Sequence, residues 1–126
     1  MANKNECPTL LMTHILGKKW TVPIVEEVYF SNGSAQFNAI KRSVSSITTK
    51  TLNDSLRELC TVEVLKKHTS RYNNVKYTKY TLTEKGRDLE RLIQNMKKLG
   101  ICWYGMQKGC ETTKCSSCPL FNGKGR

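Results

Sequence analysis

The stretch from Ile47 to Arg87 constrains the fold of this chain more than any other. Leu52, Leu56 and Leu59 recur at spacings of four and three, so a helix over about Thr48 to Cys60 buries one face and leaves Thr49, Lys50, Asn53 and Arg57 pointing elsewhere. Two segments rich in β-branched and aromatic residues follow, Val64 to Arg71 and Val75 to Leu82, separated by Tyr72-Asn73-Asn74, where asparagine tolerates a positive φ. The sequence Tyr80-Thr81-Leu82-Thr83-Glu84-Lys85-Gly86 then closes the hairpin and caps a further helix at Thr83. Helix, hairpin and helix in that order are the plan of a winged helix-turn-helix: mainly α, with a small β-hairpin wing.

The upstream segment completes the plan. Pro8 suits the first turn of a helix whose apolar residues are Leu10, Leu11 and Ile15, ended by Gly17. A second helix over Trp20 to Phe30 carries Ile24, Val25, Val28 and Tyr29 at helical spacing and ends at Asn32-Gly33. Ser34 to Gln36 reads as a brief strand, and Phe37 to Val44 as a helix with Phe37, Ile40 and Val44 inward, broken by Ser45-Ser46. The chain thus divides into a DNA-binding core at 1–82, a dimerisation helix at 83–107 and a Cys-rich tail at 108–126.

Charge favours a polyanionic partner. Twenty-one Lys and Arg oppose ten Asp and Glu, for a net charge of +11. From Lys66 to Lys79 the hairpin carries five basic residues and no acid, a self-repelling pattern that a phosphate backbone relieves; lysines on a strand edge also discourage aggregation. The expected DNA-binding residues are Thr48, Thr49, Lys50, Asn53 and Arg57, whose types suit phosphates and base edges, and Arg71, Asn73, Lys76 and Lys79 on the flanking backbone. No apolar run approaches the roughly 18 to 20 residues of a membrane span, and Met1 to Cys7 lacks the apolar core of a signal peptide, so a cytoplasmic location without membrane attachment is expected. No phosphate loop, serine-nucleophile motif or pair of catalytic carboxylates suggests an enzyme.

Leu89, Leu92, Met96, Leu99, Trp103 and Met106 recur at spacings of three and four as a heptad seam, which a lone domain would leave partly exposed. Dimerisation through the terminal helices is therefore expected, against the alternative of packing onto the first helix. Beyond the seam, Cys110, Cys115 and Cys118 form Cys-x4-Cys-x2-Cys before Pro119. Thiolates at that spacing can converge on zinc or an iron-sulfur cluster, with Cys102, Cys7, His14, His68 or a partner subunit's cysteine as a fourth ligand; reversible disulfide chemistry and inert thiols are the metal-free readings. Cys7 opens the first helix with Lys4 nearby in sequence, and a helix N-terminus and a cation both lower a thiol pKa, which makes it a redox candidate.

Cys7-Pro8, Leu16-Gly17-Lys18-Lys19-Trp20-Thr21, Phe37-Asn38-Ala39-Ile40, Ser46-Ile47-Thr48, Leu56-Arg57-Glu58-Leu59 and Tyr80-Thr81-Leu82-Thr83 to Gly86 together resemble the HxlR-type, MarR-like branch of winged-helix transcriptional regulators, over about Cys7 to Gly100. The resemblance implies a homodimeric repressor or activator on inverted-repeat double-stranded DNA, with the Thr48 to Cys60 helix in the major groove and Cys7 as a redox or electrophile sensor. The chain departs from the family pattern in reading Thr61-Val62-Glu63-Val64 where an acidic-Gly pair is usual, in lacking the wing proline, and in having Gly17-Lys18 for Gly-Gly. The competing reading is a non-specific architectural DNA-binding protein with a structural zinc or disulfide tail.

Overall fold

A computed structural model describes residues 6–105, which form five helices and one three-stranded antiparallel sheet. Helix α1 spans Pro8–Leu16, with proline at its start and the Gly17 N–H closing it onto the Thr13 carbonyl at 2.8 Å. Only Ile15 of its apolar residues is buried, with Leu11 packed beside it against the core; Leu10, expected inward, is 68% exposed, because it lies off the face that Leu11 and Ile15 share one turn apart. Helix α2 (Thr21–Phe30) is the centre of the domain. Every residue from Thr21 to Val28 is buried, including Glu26 and Glu27, whereas Tyr29 emerges into solvent.

Asn32 (φ 61°) and Gly33 (φ 85°) turn the chain into β1 (Ser34–Gln36). Helices α3 (Phe37–Ser43) and α4 (Thr49–Thr61) follow, and the intervening turn is anchored by buried Val44 and Ile47. Thr48 caps α4, its hydroxyl oxygen accepting from the Thr51 N–H at 3.1 Å. Leu52, Leu56 and Leu59 are buried as the periodicity predicts.

Glu63, at the end of α4, takes a left-handed φ of 66°, a conformation costing a non-glycine residue on the order of 1 kcal/mol. The Glu63 carboxylate pairs with Lys85 at 3.3 Å. Strands β2 (Leu65–Tyr72) and β3 (Val75–Leu82) are joined by Asn73 and Asn74, both at positive φ (51° and 63°), a two-residue turn whose twist matches that of the strands. The sheet order is β1-β3-β2, with Ala35 opposite Tyr80 and Leu65 opposite Leu82.

Helix α5 (Glu84–Tyr104) begins at the Thr83 cap. The Thr83 oxygen accepts from the Gly86 N–H at 3.1 Å, and its hydroxyl faces the carbonyls of Glu63 (2.5 Å) and Val64 (3.0 Å). Gly86 is obligatory there: a Cβ would run into the Val64 carbonyl and the Leu82 side chain. Gly105, left-handed at φ 58°, ends the helix before the expected 107. At 21 residues α5 is about 31 Å long and outreaches the domain core.

The expected heptad seam splits in two. Leu89 joins Ile93 in the intramolecular core, facing α2, whereas Leu92 (42%), Met96 (46%), Leu99 (48%) and Trp103 (66%) form an exposed stripe at spacings of four, three and four. Met106 lies outside the described residues.

Candidate nucleic-acid interface

Helix α4 presents Lys50 and Arg57 to solvent opposite its three core leucines and Thr49 and Asn53 along the flank beside them, with Thr48 exposed at the cap. Asp54 stands between the two cations, 3.4 Å from Lys50 and 3.5 Å from Arg57. All three side chains are substantially exposed, so these pairs are worth at most about 1 kcal/mol and can yield to a phosphate or a base edge. An ion pair from Lys18 to Glu58 joins the end of α1 to the same helix.

The hairpin register sorts the wing residues by face. Residues directly opposite in an antiparallel pair share a face, and successive residues alternate. Leu65 and Leu82 are in the core, so Lys67, Thr69 and Arg71 of β2 and Tyr80, Thr78 and Lys76 of β3 share their side. Lys66, His68, Ser70, Lys79 and Tyr77 lie on the other. Of the expected backbone contacts, Arg71 and Lys76 are cross-strand neighbours on the inner side, Asn73 is at the tip, and Lys79 is on the outer side opposite His68. A groove of about 390 Å³ separates the inner wing from α3 and α4; its walls include Phe37, Asn38, Thr49, Asn53, Lys67 and Lys76, and among the described residues no carboxylate lines it. Lys67 and Asn38 were not singled out from the sequence. Two-residue alternation places Lys67 once the inward position of Leu65 is known, but Asn38 has no comparable local signal.

The described cysteines occupy three different settings, and none is in a disulfide. Cys7 is exposed at the N-cap of α1, where the nearby backbone N–H groups of Leu10 and Thr9 favour the thiolate and hold its thiol below the ordinary value. Cys60, half-buried on the inner side of α4, is pushed up by burial, partly opposed by the Lys67 charge. Cys102 is exposed near the end of α5. Cys110, Cys115 and Cys118 lie outside the described residues; among those described, no group of three or more His, Cys, Asp or Glu side chains is placed to hold a metal ion. His14 and His68 are both exposed. No helix among the described residues is long and apolar enough to cross a membrane.

A family model for the HxlR-like helix-turn-helix matches residues 15–108, which include the α3–α4 pair, the wing and α5. The chain belongs to the HxlR-like family. YybR of Bacillus subtilis, an HTH-type transcriptional regulator, is 33% identical over 99 residues, covering 78% of this chain and 76% of that one. Among solved structures, the reduced form of YodB from B. subtilis superposes with a TM-score of 0.67 at 27% identity, over 79% of this chain and 95% of that one. The redox regulator HypR in its reduced form gives 0.66 at 28%, over 76% and 92%. As an HxlR-type protein this chain is a winged helix-turn-helix transcriptional regulator, a DNA-binding protein and not an enzyme.

Proposed function

We propose that this HxlR-type regulator binds inverted-repeat DNA as a homodimer, sequence-specifically, and that the state of its cysteines sets its affinity. The observation that carries the reading is the exposed polar face of α4, with Thr49, Lys50, Asn53 and Arg57 set beside a carboxylate-free groove under the wing. In this reading α4 enters the major groove, where Arg57 and Lys50 suit guanine, Asn53 suits adenine, and Thr48 at the cap faces the backbone. Arg71, Asn73 and Lys76 hold the neighbouring strand.

The dimer reading is supported by the stripe of Leu92, Met96, Leu99 and Trp103 on α5 and by exposed Leu10 and Met12 on α1. Burial of such side chains against a second copy is worth about 25 cal/mol for each Å² removed from water. A symmetric pair then presents two copies of α4 to two half-sites. For the switch, Cys7 is the reactive thiol. Its place at the start of α1, near Leu10 and Met12, puts its oxidation where it would alter subunit packing and so the spacing of the two α4 helices. The relationship to HypR and YodB favours redox control over a structural tail. A zinc ion or iron-sulfur cluster on Cys110, Cys115 and Cys118 is the second form of the same proposal, and metal analysis of protein purified without oxygen decides between them.

The test is competition binding of the full chain to a duplex from its own promoter and to random duplex at one salt concentration. Affinity for the promoter site about 10³-fold or more above random supports a regulator of specific sites. Equal affinities would replace it with the architectural reading.

A further inference from the structure

The wing is a ribbon whose two sides carry different residues, and the side of Lys67 and Lys76 adjoins the groove against α4, which only Tyr77 reaches from the other side. On the inner side, Arg71 and Lys76 are directly paired across the strands. Like charges opposite one another destabilise a hairpin unless an anion lies against them. Lys67 is on the same side, and with Lys76 it lines the groove whose far walls are Thr49 and Asn53 of α4 and Asn38 of α3. Neither lysine pairs with a carboxylate among the described residues, and the two acids facing outward from α4 are already engaged, Asp54 between Lys50 and Arg57 and Glu58 with Lys18. Lys67 is opposite buried Tyr80, two residues from the core pair Leu65 and Leu82, which places it at the base of the groove and not at the wing tip. Lys66, its neighbour in sequence, is across the ribbon with Lys79 and His68 and lines no part of the groove.

The geometry points to the groove between α4 and the inner wing as the seat of backbone phosphates of the bound strand, gripped by Lys67 and Lys76, with Asn38 and Thr49 as hydrogen-bond donors on the facing wall and Lys66 turned away. The inference rests on the DNA-binding reading above and adds to it the residue and the face that fix the register of the wing on the backbone. The walls match the ligand: two ammonium groups for the charge, amide and hydroxyl donors for the remaining oxygens, and no competing acid. A phosphate there also offsets the Arg71–Lys76 repulsion, so the hairpin is better satisfied on DNA than free.

Adjacent lysines give a charge-matched test. Lys66→Gln and Lys67→Gln remove the same charge from neighbouring exposed positions, and Lys67→Gln combined with Lys76→Gln removes both proposed contacts. Affinity for a promoter duplex is measured across a salt series for each, with a circular dichroism melt to establish that the fold is retained. Each phosphate contact contributes about 0.9 to the slope of log affinity against log salt. Lys67→Gln should lower the slope by about 0.9 and the double variant by about 1.8, Lys67→Arg should restore it, and Lys66→Gln should leave it at the wild-type value. Equal losses for Lys66→Gln and Lys67→Gln would show diffuse charge attraction and overturn the seat, as would an unchanged slope in the double variant. If the wild-type protein binds no duplex at all, the DNA reading itself falls and the seat with it, a failure distinct from binding that ignores Lys67.

Discussion

Glu26 of α2 and Lys97 of α5 form an ion pair in which both side chains are buried, at 0% and 6% exposed. Gln94 also approaches Glu26, at 3.5 Å, and donates to Glu90 one turn away. The long helix proposed to carry the dimer contact is therefore tied to the centre of the DNA-binding core by charge as well as by Leu89 and Ile93.

Removing one member strands the other charge in a dry environment. Lys97→Met should cost about 3–5 kcal/mol of unfolding free energy, and adding Glu26→Leu should recover much of it, because a well-packed apolar pair often replaces a buried ion pair without loss. Urea denaturation of the two variants checks this. A loss below about 1 kcal/mol for Lys97→Met would mean the pair does not brace the helix.

Glu90 provides a pH signature. It is 2% exposed, one of its oxygens has no hydrogen-bond partner among the described residues, and burial pushes its carboxyl above the ordinary 4.5, with the Gln94 hydrogen bond opposing and Glu26 adding. Between its unfolded and its raised folded pKa the folded state binds more protons, so this group's contribution to stability falls as pH rises through that window and is flat above it. The stability of wild type minus that of Glu90→Gln should therefore decline upward from about pH 4.5, the unfolded value, to the folded pKa. Denaturant midpoints at several pH values measure it, and a difference that grows with pH would contradict the assignment.

The thiols should react in a fixed order. Cys7, exposed and lowered by two backbone N–H groups, should be alkylated by iodoacetamide at neutral pH well before Cys60, whose thiol is half-buried and raised. Timed alkylation followed by peptide mass mapping gives the order. Faster labelling of Cys60 would remove the basis for treating Cys7 as the sensor.

The exposed stripe on α5 makes the assembly testable. Met96→Asp with Leu99→Asp alters two side chains that are solvent-facing in the single subunit, so the fold should survive while the dimer separates. Sedimentation equilibrium should give twice the chain mass for wild type and the chain mass for the variant, with DNA affinity falling as the second half-site is lost. An unchanged dimer would place the interface elsewhere.

Much of this architecture is legible in the residues because its punctuation is local. Pro8, Asn32-Gly33, Thr48, Asn73-Asn74 and Thr83 each set a boundary by their own backbone or side-chain chemistry, and the helices and strands fall within a residue or two of them. What was not legible depends on partners distant in sequence. Periodicity finds apolar residues on α5 but not that Leu89 and Ile93 turn toward α2 while Leu92 and Met96 turn away, since a helix with two adjoining stripes reads as one. The five wing cations look alike until the register sorts Lys67 and Lys76 from Lys66 and Lys79. Glu26 and Lys97 read as solvated charges because they are 71 positions apart and meet only when α2 packs on α5. Glu63 is left-handed without being glycine or asparagine, because its backbone N–H is held by the Cys60 carbonyl and its own carbonyl by the Thr83 hydroxyl, neither of which is a local signal.

The central claim is that α4 reads sequence. Its most direct test compares wild type, Asn53→Ala and Arg57→Ala for affinity to the promoter site and to random duplex at fixed salt. Each substitution should weaken the specific complex by about 1–3 kcal/mol, roughly 5- to 150-fold. Asn53→Ala should leave random-duplex binding within about twofold of wild type, so the specificity ratio collapses. Equal loss on both duplexes, or an unchanged ratio in both variants, would contradict the account and leave α4 as a generic phosphate contact.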